Sequence, residues 1–364
     1  MTTGSIYVHI PFCAKKCPYC HFFVQPLQDQ RLYLEGIKQE WESKKTILNQ
    51  VTSIYLGGGT PSLLSLSEVS EILDLFKEFS PKEVTIEANP DDVTPEKMKG
   101  YLSLGINRLS IGVQSLDDSS LKTIDRMHSA KKAIDAIEIA HAAGFDNISI
   151  DLMYDLPHQT FSSWKATVDR AMLLPISHLS IYNLIFEEGS LYYKKQKELS
   201  PHTPNDEESL KMLEYAVQTC EKNGLHRYEI SAFCRNEKQS LHNTGYWIGR
   251  PFIGLGPSAF SYINGSRFKN ISHLKKWHSA IIAHTDPCDF TETLPYPQNI
   301  HELLAIRLRL MEGASLLDFP TLPPATLTTL TSLTNQNLLT STQNLYRLTE
   351  KGKLFYDLVA SELV

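Results

Sequence analysis

Three cysteines crowd into one short stretch of this 364-residue chain, Cys13-Ala14-Lys15-Lys16-Cys17-Pro18-Tyr19-Cys20. Three thiolates at this spacing can hold three irons of a four-iron, four-sulfur cluster and leave the fourth iron without a protein ligand. An open iron can chelate the amino and carboxylate groups of S-adenosylmethionine and pass an electron to its sulfonium, which is how an adenosyl radical is made. The neighbouring Lys15 and Lys16 favour thiolate formation. Taken alone, the cysteines also allow a zinc site completed by His21 or a remote histidine. Zinc knuckles usually come as two spaced pairs, whereas here His21 directly follows Cys20, and the strand context favours the cluster. Cys220, Cys234 and Cys288 are scattered and read as ordinary small buried or half-buried side chains.

A cluster loop needs a rigid frame. Short apolar runs over 6–10, 51–56, 84–87, 108–113, 148–152 and 179–183 read as strands. Helical patterns lie between them, over 29–45, 65–79, 94–105 and 129–143 and around Trp164. Ser65 and Glu68 have capping-box spacing, Thr94-Pro95 starts a helix, and Gly144 ends one. Repeated strand-helix units of roughly 30 residues imply parallel strands with right-handed crossovers. The expected fold class is therefore α/β, a partial (β/α)6-type barrel. No strand is followed by G-x-G-x-x-G, so a nicotinamide site is not indicated.

Polar residues cluster where these strands end, which is where barrel active sites assemble. Gly57-Gly58-Gly59-Thr60-Pro61 ends the second strand, Glu87 the third, Gln114-Ser115 the fourth and Asp151 the fifth. Consecutive glycines expose backbone N–H groups to a ligand and suit the amino acid end of the cofactor. Glu87 and Asp151 suit an ammonium or ribose hydroxyls, and Arg126 suits a carboxylate. Singly, each residue also reads as a plain turn or helix cap. Their agreement across the strand ends is what points to a site.

Beyond residue 207 the pattern changes. We divide the chain into a barrel core over 1–235, a connecting region over 236–295 and a small C-terminal α+β, winged-helix-like domain over 296–364. Residues 236–272, rich in glycine, asparagine, aromatics and histidine, read as an ordered loop region. The terminal domain lacks a basic recognition helix. With 35 Lys and Arg against 41 Asp and Glu, net charge −6, the chain is not a nucleic-acid binder. Hydrophobic residues at 42% and charged residues at 21% provide a core and exclude general disorder. No segment approaches the roughly 18 consecutive apolar residues of a spanning helix. The N-terminus does not read as a secretory signal, so the expectation is a soluble, cytoplasmic protein.

The motifs resemble the radical S-adenosylmethionine superfamily, and more narrowly the oxygen-independent coproporphyrinogen oxidase-like family. The resemblance rests on Tyr7-Val8-His9-Ile10-Pro11-Phe12-Cys13, Gly57–Pro61, Glu87-Ala88-Asn89-Pro90 and Asn107–Ser115. It continues through Asp125-Arg126-Met127-His128, Asp151-Leu152, Leu156-Pro157 and Gly254–Ala259, nearly the whole chain. It implies cofactor contacts at Tyr7, Gly58, Gly59, Thr60, Glu87, Gln114, Arg126 and Asp151. The oxidases carry a further cysteine two residues after the third, where this chain has Phe22. They also have a long segment before the first strand, where this chain has a few residues. Asp155 and His158 stand where the family usually has glycine.

His242-Asn243-Thr244-Gly245-Tyr246-Trp247 matches the His-Asn-x-x-Tyr-Trp motif of the heme chaperone members. That resemblance implies heme binding at His242, Asn243, Tyr246 and Trp247. Imidazole can ligate heme iron, the two aromatic rings can flank a macrocycle, and Asn243 can orient the imidazole or a propionate. Read without the family, the same segment is a buried polar loop. The implied function is heme transfer to client hemoproteins such as respiratory enzymes, with an electron donor for the cluster and a homodimer when the cluster is bound. The alternative is oxidative decarboxylation of coproporphyrinogen III.

Overall fold

The computed structural model describes residues 2–364. Its centre is a twelve-stranded sheet. Six strands run parallel in sequence order: β1 (Thr3–Ile10), β2 (Gln50–Gly58), β3 (Glu83–Ala88), β4 (Arg108–Gln114), β5 (Ile148–Tyr154) and β6 (His178–Asn183). Their residues are buried almost continuously, as expected for strands covered on both faces. The crossover helices start where the sequence places their caps. Ser65 and Glu68 form a capping box, Thr94 caps the helix that opens with Pro95, and Gly144 closes another at φ +116°.

The six strands carry further strands on both sides. Next to β6 lies β8 (Ala232–Cys234), antiparallel to it, and then β7 (His226–Glu229), antiparallel to β8. On the other side β9 (Phe252–Leu255) pairs parallel with β1. Then β10 (Phe260–Ile263), β11 (Ser266–Asn270) and β12 (Cys288–Thr293) follow antiparallel. The outermost strands, β12 and β7, do not pair with each other, so the sheet is open and the barrel partial. The stretch over 236–272, read from sequence as a loop region, contains a helix, Leu241–Trp247, and three strands. These runs are four to seven residues long and broken by glycines, too short to show a period. Pairing with β1 makes β9 a strand.

A buried carboxylate ties this extension to the parallel sheet. Glu40, in helix α1 (Gln30–Lys44), is fully buried. Its Oε1 accepts from Lys44 Nζ at 2.6 Å and Asn270 Nδ2 at 2.7 Å. Its Oε2 accepts from Gly256 N at 2.8 Å and Trp277 Nε1 at 3.2 Å. Four donors from four segments satisfy one anion, which is the condition for a buried charge to be tolerated.

A second core spans Ile300 to Leu363. Four helices, Gln298–Arg307, Pro324–Asn335, Glu350–Leu354 and Tyr356–Leu363, surround a small sheet. That sheet is formed by β13 (Ala314–Ser315), β14 (Leu339–Thr342) and β15 (Leu345–Leu348). This unit attaches to the β7 edge, where Met311 N donates to Tyr228 O at 2.9 Å. Among the described residues no helix is long and apolar enough to cross a membrane. Asp155 and His158 both lie in the left-handed region, at φ +61° and +63°, the conformation glycine adopts at least cost.

Glu40→Ala should lower the stability of the full chain by about 3–5 kcal/mol, because it removes the buried counter-charge of the Lys44 ammonium and leaves Gly256 N and Trp277 Nε1 without their acceptor. Urea unfolding followed by circular dichroism measures this. A loss below about 1 kcal/mol would show that the network does not hold β9–β11 in place.

Candidate functional site

The cysteine loop leaves the carboxyl end of β1 and is sewn to its neighbours by backbone bonds. Cys13 N donates to Gln25 O at 2.9 Å and Gln25 N to Pro11 O at 2.7 Å. Gly59 N and Thr60 N, at the end of β2, donate to Ile10 O and Phe12 O at 2.8 and 2.7 Å. The glycines are required here by packing. A Cβ on Gly58 would lie 2.5 Å from His9 Nδ1, and one on Gly59 2.5 Å from Phe12 O. Gly58 also has φ +108°. The sequence reading assigned these glycines to ligand approach; their first role in the fold is to let β2 press against the root of the cysteine loop.

Cys13, Cys17 and Cys20 are unpaired and half-buried. Cys13 Sγ lies 3.0 Å from Thr60 Oγ1, and Arg126 Nη1 points at Cys17 Sγ from 3.5 Å. Burial pushes the Cys13 and Cys20 thiols up. Thr60 opposes this at Cys13, and the Phe22 backbone and Lys16 oppose it at Cys20. Lys15 instead pairs with Asp125 at 2.6 Å. Among the described residues, no three His, Cys, Asp or Glu side chains converge to hold a single ion. A cuboidal cluster does not need such a point, since each thiolate takes a different iron.

The three cysteines border a cleft of about 270 Å³, together with Gly58, Gly59, Thr60, Glu87, Gln114, Arg126 and Asp151. Sequence positions more than a hundred residues apart are therefore brought together. Glu87 accepts from Tyr55 OH at 2.8 Å and from Gly58 N at 3.0 Å. Burial raises its pKa to about 7, and nearby Asp151 adds to the rise. Asp151 is itself raised to about 6, mainly by burial. Gln114, at φ +66°, accepts from Tyr182 OH at 2.7 Å. Arg126 Nη2 donates to Gly112 O at 2.7 Å, while its buried Nε has no partner. Two under-compensated carboxyls and an unsatisfied guanidinium suit a ligand carrying both ammonium and carboxylate. The residues present thus fit a cluster with an amino-acid-bearing cofactor.

Tyr7 lies elsewhere. It lines a second and larger chamber of about 930 Å³, which Glu87 also borders. Its hydroxyl is 3.0 Å from His9 Nδ1, and His9 Nε2 donates to Phe23 O at 3.0 Å, so the tyrosine is the donor. All four residues of the histidine motif, His242, Asn243, Tyr246 and Trp247, line this chamber. Tyr55, Phe23, Phe252, Phe260 and Tyr262 add aromatic walls. Its cations are Lys16, Arg250, Arg267 and Lys269. Arg267 is matched by Glu292 and Glu302; no carboxylate pairs with Lys16, Arg250 or Lys269 among the described residues. Phe22, at the position where the oxidases have cysteine, is 52% exposed and borders both the cleft and the chamber.

Three positioning residues escape sequence reading. Glu83, at the start of β3, accepts from the N–H groups of Leu241 and His242 at 2.8 and 3.0 Å and pins the helix start. Ser53 on β2, rather than Asn243, orients the imidazole, its Oγ lying 3.0 Å from His242 Nδ1. Arg309, from the C-terminal unit, stacks over Trp247 at 4.3 Å and over Tyr356 at 5.1 Å. Trp247 thus has the guanidinium on a face. Local sequence carries no signal for any of these pairings, because each joins distant segments.

Comparison with known proteins gives the following. The radical SAM superfamily model matches residues 7–171. The chain is 34% identical to heme chaperone HemW of Bacillus subtilis (strain 168), covering 96% of each chain. It is 35% identical to the mitochondrial radical S-adenosyl methionine domain-containing protein 1 of Danio rerio, over 70% of this chain and 60% of that protein. Among solved structures it resembles coproporphyrinogen III oxidase (HemN) of Escherichia coli with TM-score 0.86 and 22% identity. That alignment covers 100% of this chain and 90% of the other, and the likeness concerns the fold.

Glu87 yields a pH prediction. Its native pKa of about 7 lies above the ordinary 4.5, so between these values the folded protein holds the extra proton. The ligand-free protein therefore loses stability from this group as pH rises through that window. Glu87→Gln should be more stabilising, or less destabilising, at pH 8 than at pH 5. The difference should be about 1–2 kcal/mol, since the carboxyl borders open space and is partly screened. Denaturant unfolding of both proteins at the two pH values checks this. A pH-independent difference would place the native carboxyl at an ordinary pKa.

Proposed function

We propose a function from one premise: this chain belongs to the heme chaperone HemW family of the radical SAM superfamily. The protein binds heme in the larger chamber, with His242 as iron ligand, and passes it to client hemoproteins. Cys13, Cys17 and Cys20 hold a four-iron, four-sulfur cluster at the neighbouring cleft. Gly58, Gly59, Thr60, Glu87, Gln114, Arg126 and Asp151 hold S-adenosylmethionine beside it, with Tyr7 at the boundary to the chamber. When bound, the cluster supplies a single electron to a sulfonium ligand.

The observation that carries this reading is the make-up of the chamber. A motif histidine, aromatic walls and three cations without carboxylate partners surround about 930 Å³. Aromatic rings suit a flat macrocycle, and cations without carboxylate partners suit its propionates. The roles of the chain's own residues follow from their contacts. Glu83 and Ser53 hold the His242 backbone and ring. Arg309 carries the position of the C-terminal unit to Trp247. Glu87 faces both spaces, which supports coupling between cofactor and heme. Exposed Phe22 borders both spaces. Six unpaired cysteines support residence in the reducing cytoplasm. An external reductant for the cluster, respiratory or other hemoproteins as clients, and cluster-dependent dimerisation complete the proposal.

The competing activity is oxidative decarboxylation of coproporphyrinogen III. The two are separated by titrating heme into reconstituted native protein and His242→Ala, beside an anaerobic assay with reductant, S-adenosylmethionine and coproporphyrinogen III. The expected result is a heme Soret band in the native protein, at least tenfold weaker binding in the variant, and no protoporphyrinogen. Unchanged heme affinity would remove His242 as ligand. Product formation over repeated turnovers would replace the carrier with the oxidase.

A further inference from the structure

The His242 imidazole is engaged at both nitrogens. Ser53 donates its hydroxyl proton to Ser5 Oγ at 2.9 Å, so its oxygen accepts from His242 Nδ1–H at 3.0 Å. That leaves Nε2 with the lone pair, and the Tyr246 hydroxyl donates to it at 2.8 Å. His242 is 1% exposed, held between Tyr55, with ring centroids 4.9 Å apart, and Tyr246 at 5.0 Å edge-on. Burial, Arg250 and Arg108 keep the imidazole neutral. The nitrogen that could reach a metal is thus already capped, and the Nδ1 side is closed by Ser53 and Ser5.

Tyr246 stands four residues after His242 on the same helix, which is one turn and brings the two side chains together. The helix start cannot give way easily, because Glu83 holds the N–H groups of Leu241 and His242. The tyrosine ring packs edge-on against Phe252 at 4.6 Å and borders the chamber. The movable part is the Tyr246 side chain.

We infer that Tyr246 is a latch on His242, which a metal-bearing macrocycle must displace to bind, and that it thereby holds down the affinity for metalloporphyrins while leaving that for metal-free ones alone. This rests on the reading of His242 as heme ligand. On binding, the hydrogen bond from Tyr246 to Nε2 breaks and a coordinate bond from Nε2 to iron forms; no proton is gained or lost at the imidazole. A porphyrin without a metal has no Lewis acid to compete for that lone pair and leaves the latch shut. The latch weakens heme binding and does not touch metal-free porphyrin.

The test titrates ferric heme and metal-free protoporphyrin IX into the full-length native protein, Tyr246→Phe and His242→Ala. Unfolding temperatures are recorded for each. Phenylalanine keeps the ring that packs on Phe252 and removes only the hydroxyl. The expected result is heme binding about tenfold tighter in Tyr246→Phe, with the native Soret position retained. Protoporphyrin IX affinity should stay unchanged. Equal changes for both porphyrins, unchanged heme affinity, or weaker heme binding with a shifted Soret band would each overturn the latch. The last of these would make Tyr246 itself a ligand. If His242→Ala binds heme as the native protein does, the underlying ligand assignment fails. If it loses heme while Tyr246→Phe is unaltered, the latch alone fails.

Discussion

The close approach of β2 to the end of β1 is the constraint from which the site follows. Two glycines allow it, since a Cβ on either would collide with the His9 ring or the Phe12 carbonyl. Their backbone N–H groups, with that of Thr60, then tie down the segment that carries the cysteines. The same strand end presents Tyr7 and His9 to the larger chamber. One backbone contact therefore sets the cluster loop over the cleft and fixes the wall between the two spaces. Rigid strands, rather than the loop itself, supply the precision that such a site needs.

Charge is distributed along this frame in two different ways. At Glu40 four donors satisfy a fully buried carboxylate, and the result is structural. At the cleft, Glu87 and Asp151 are raised by burial without a cation within salt-bridge distance, and the Arg126 Nε is unsatisfied. Such groups cost stability in the ligand-free protein, and a bound zwitterion would satisfy them. The chamber repeats the pattern in part, with half-buried Arg250 and Lys269 that no carboxylate pairs among the described residues. Buried or half-buried polar groups left without partners mark where ligands belong.

The two spaces are joined by few residues. Lys16, Phe22 and Glu87 border both. Arg309 reaches across from the C-terminal unit to Trp247, and Glu302, Leu303 and Ile306 of the same unit line the chamber. A change at the cleft is thus only one residue away from the chamber, and the terminal unit is in contact with the histidine motif through Trp247.

Much of this was legible in the residues alone. The cysteine triad, the parallel strand-helix units, the capped helices and the polar strand ends are local patterns, because period, capping and turn chemistry act over a few residues. The placement of Gly58, Glu87, Gln114, Arg126 and Asp151 around one cleft followed from the rule that barrel sites form at strand ends. What sequence did not disclose was every contact between distant segments. Strand β9 exists because β1 pairs with it and β10–β12 extend the sheet from there, Tyr7 turns toward the chamber rather than the cleft, and Glu83, Ser53 and Arg309 hold the histidine motif. Above all, the hydroxyl of Tyr246 on the His242 imidazole depends on an exact side-chain arrangement inside a buried pocket. Local chemistry is written along the chain; which donor meets which acceptor is decided only when packing has excluded water and fixed which groups lie within reach.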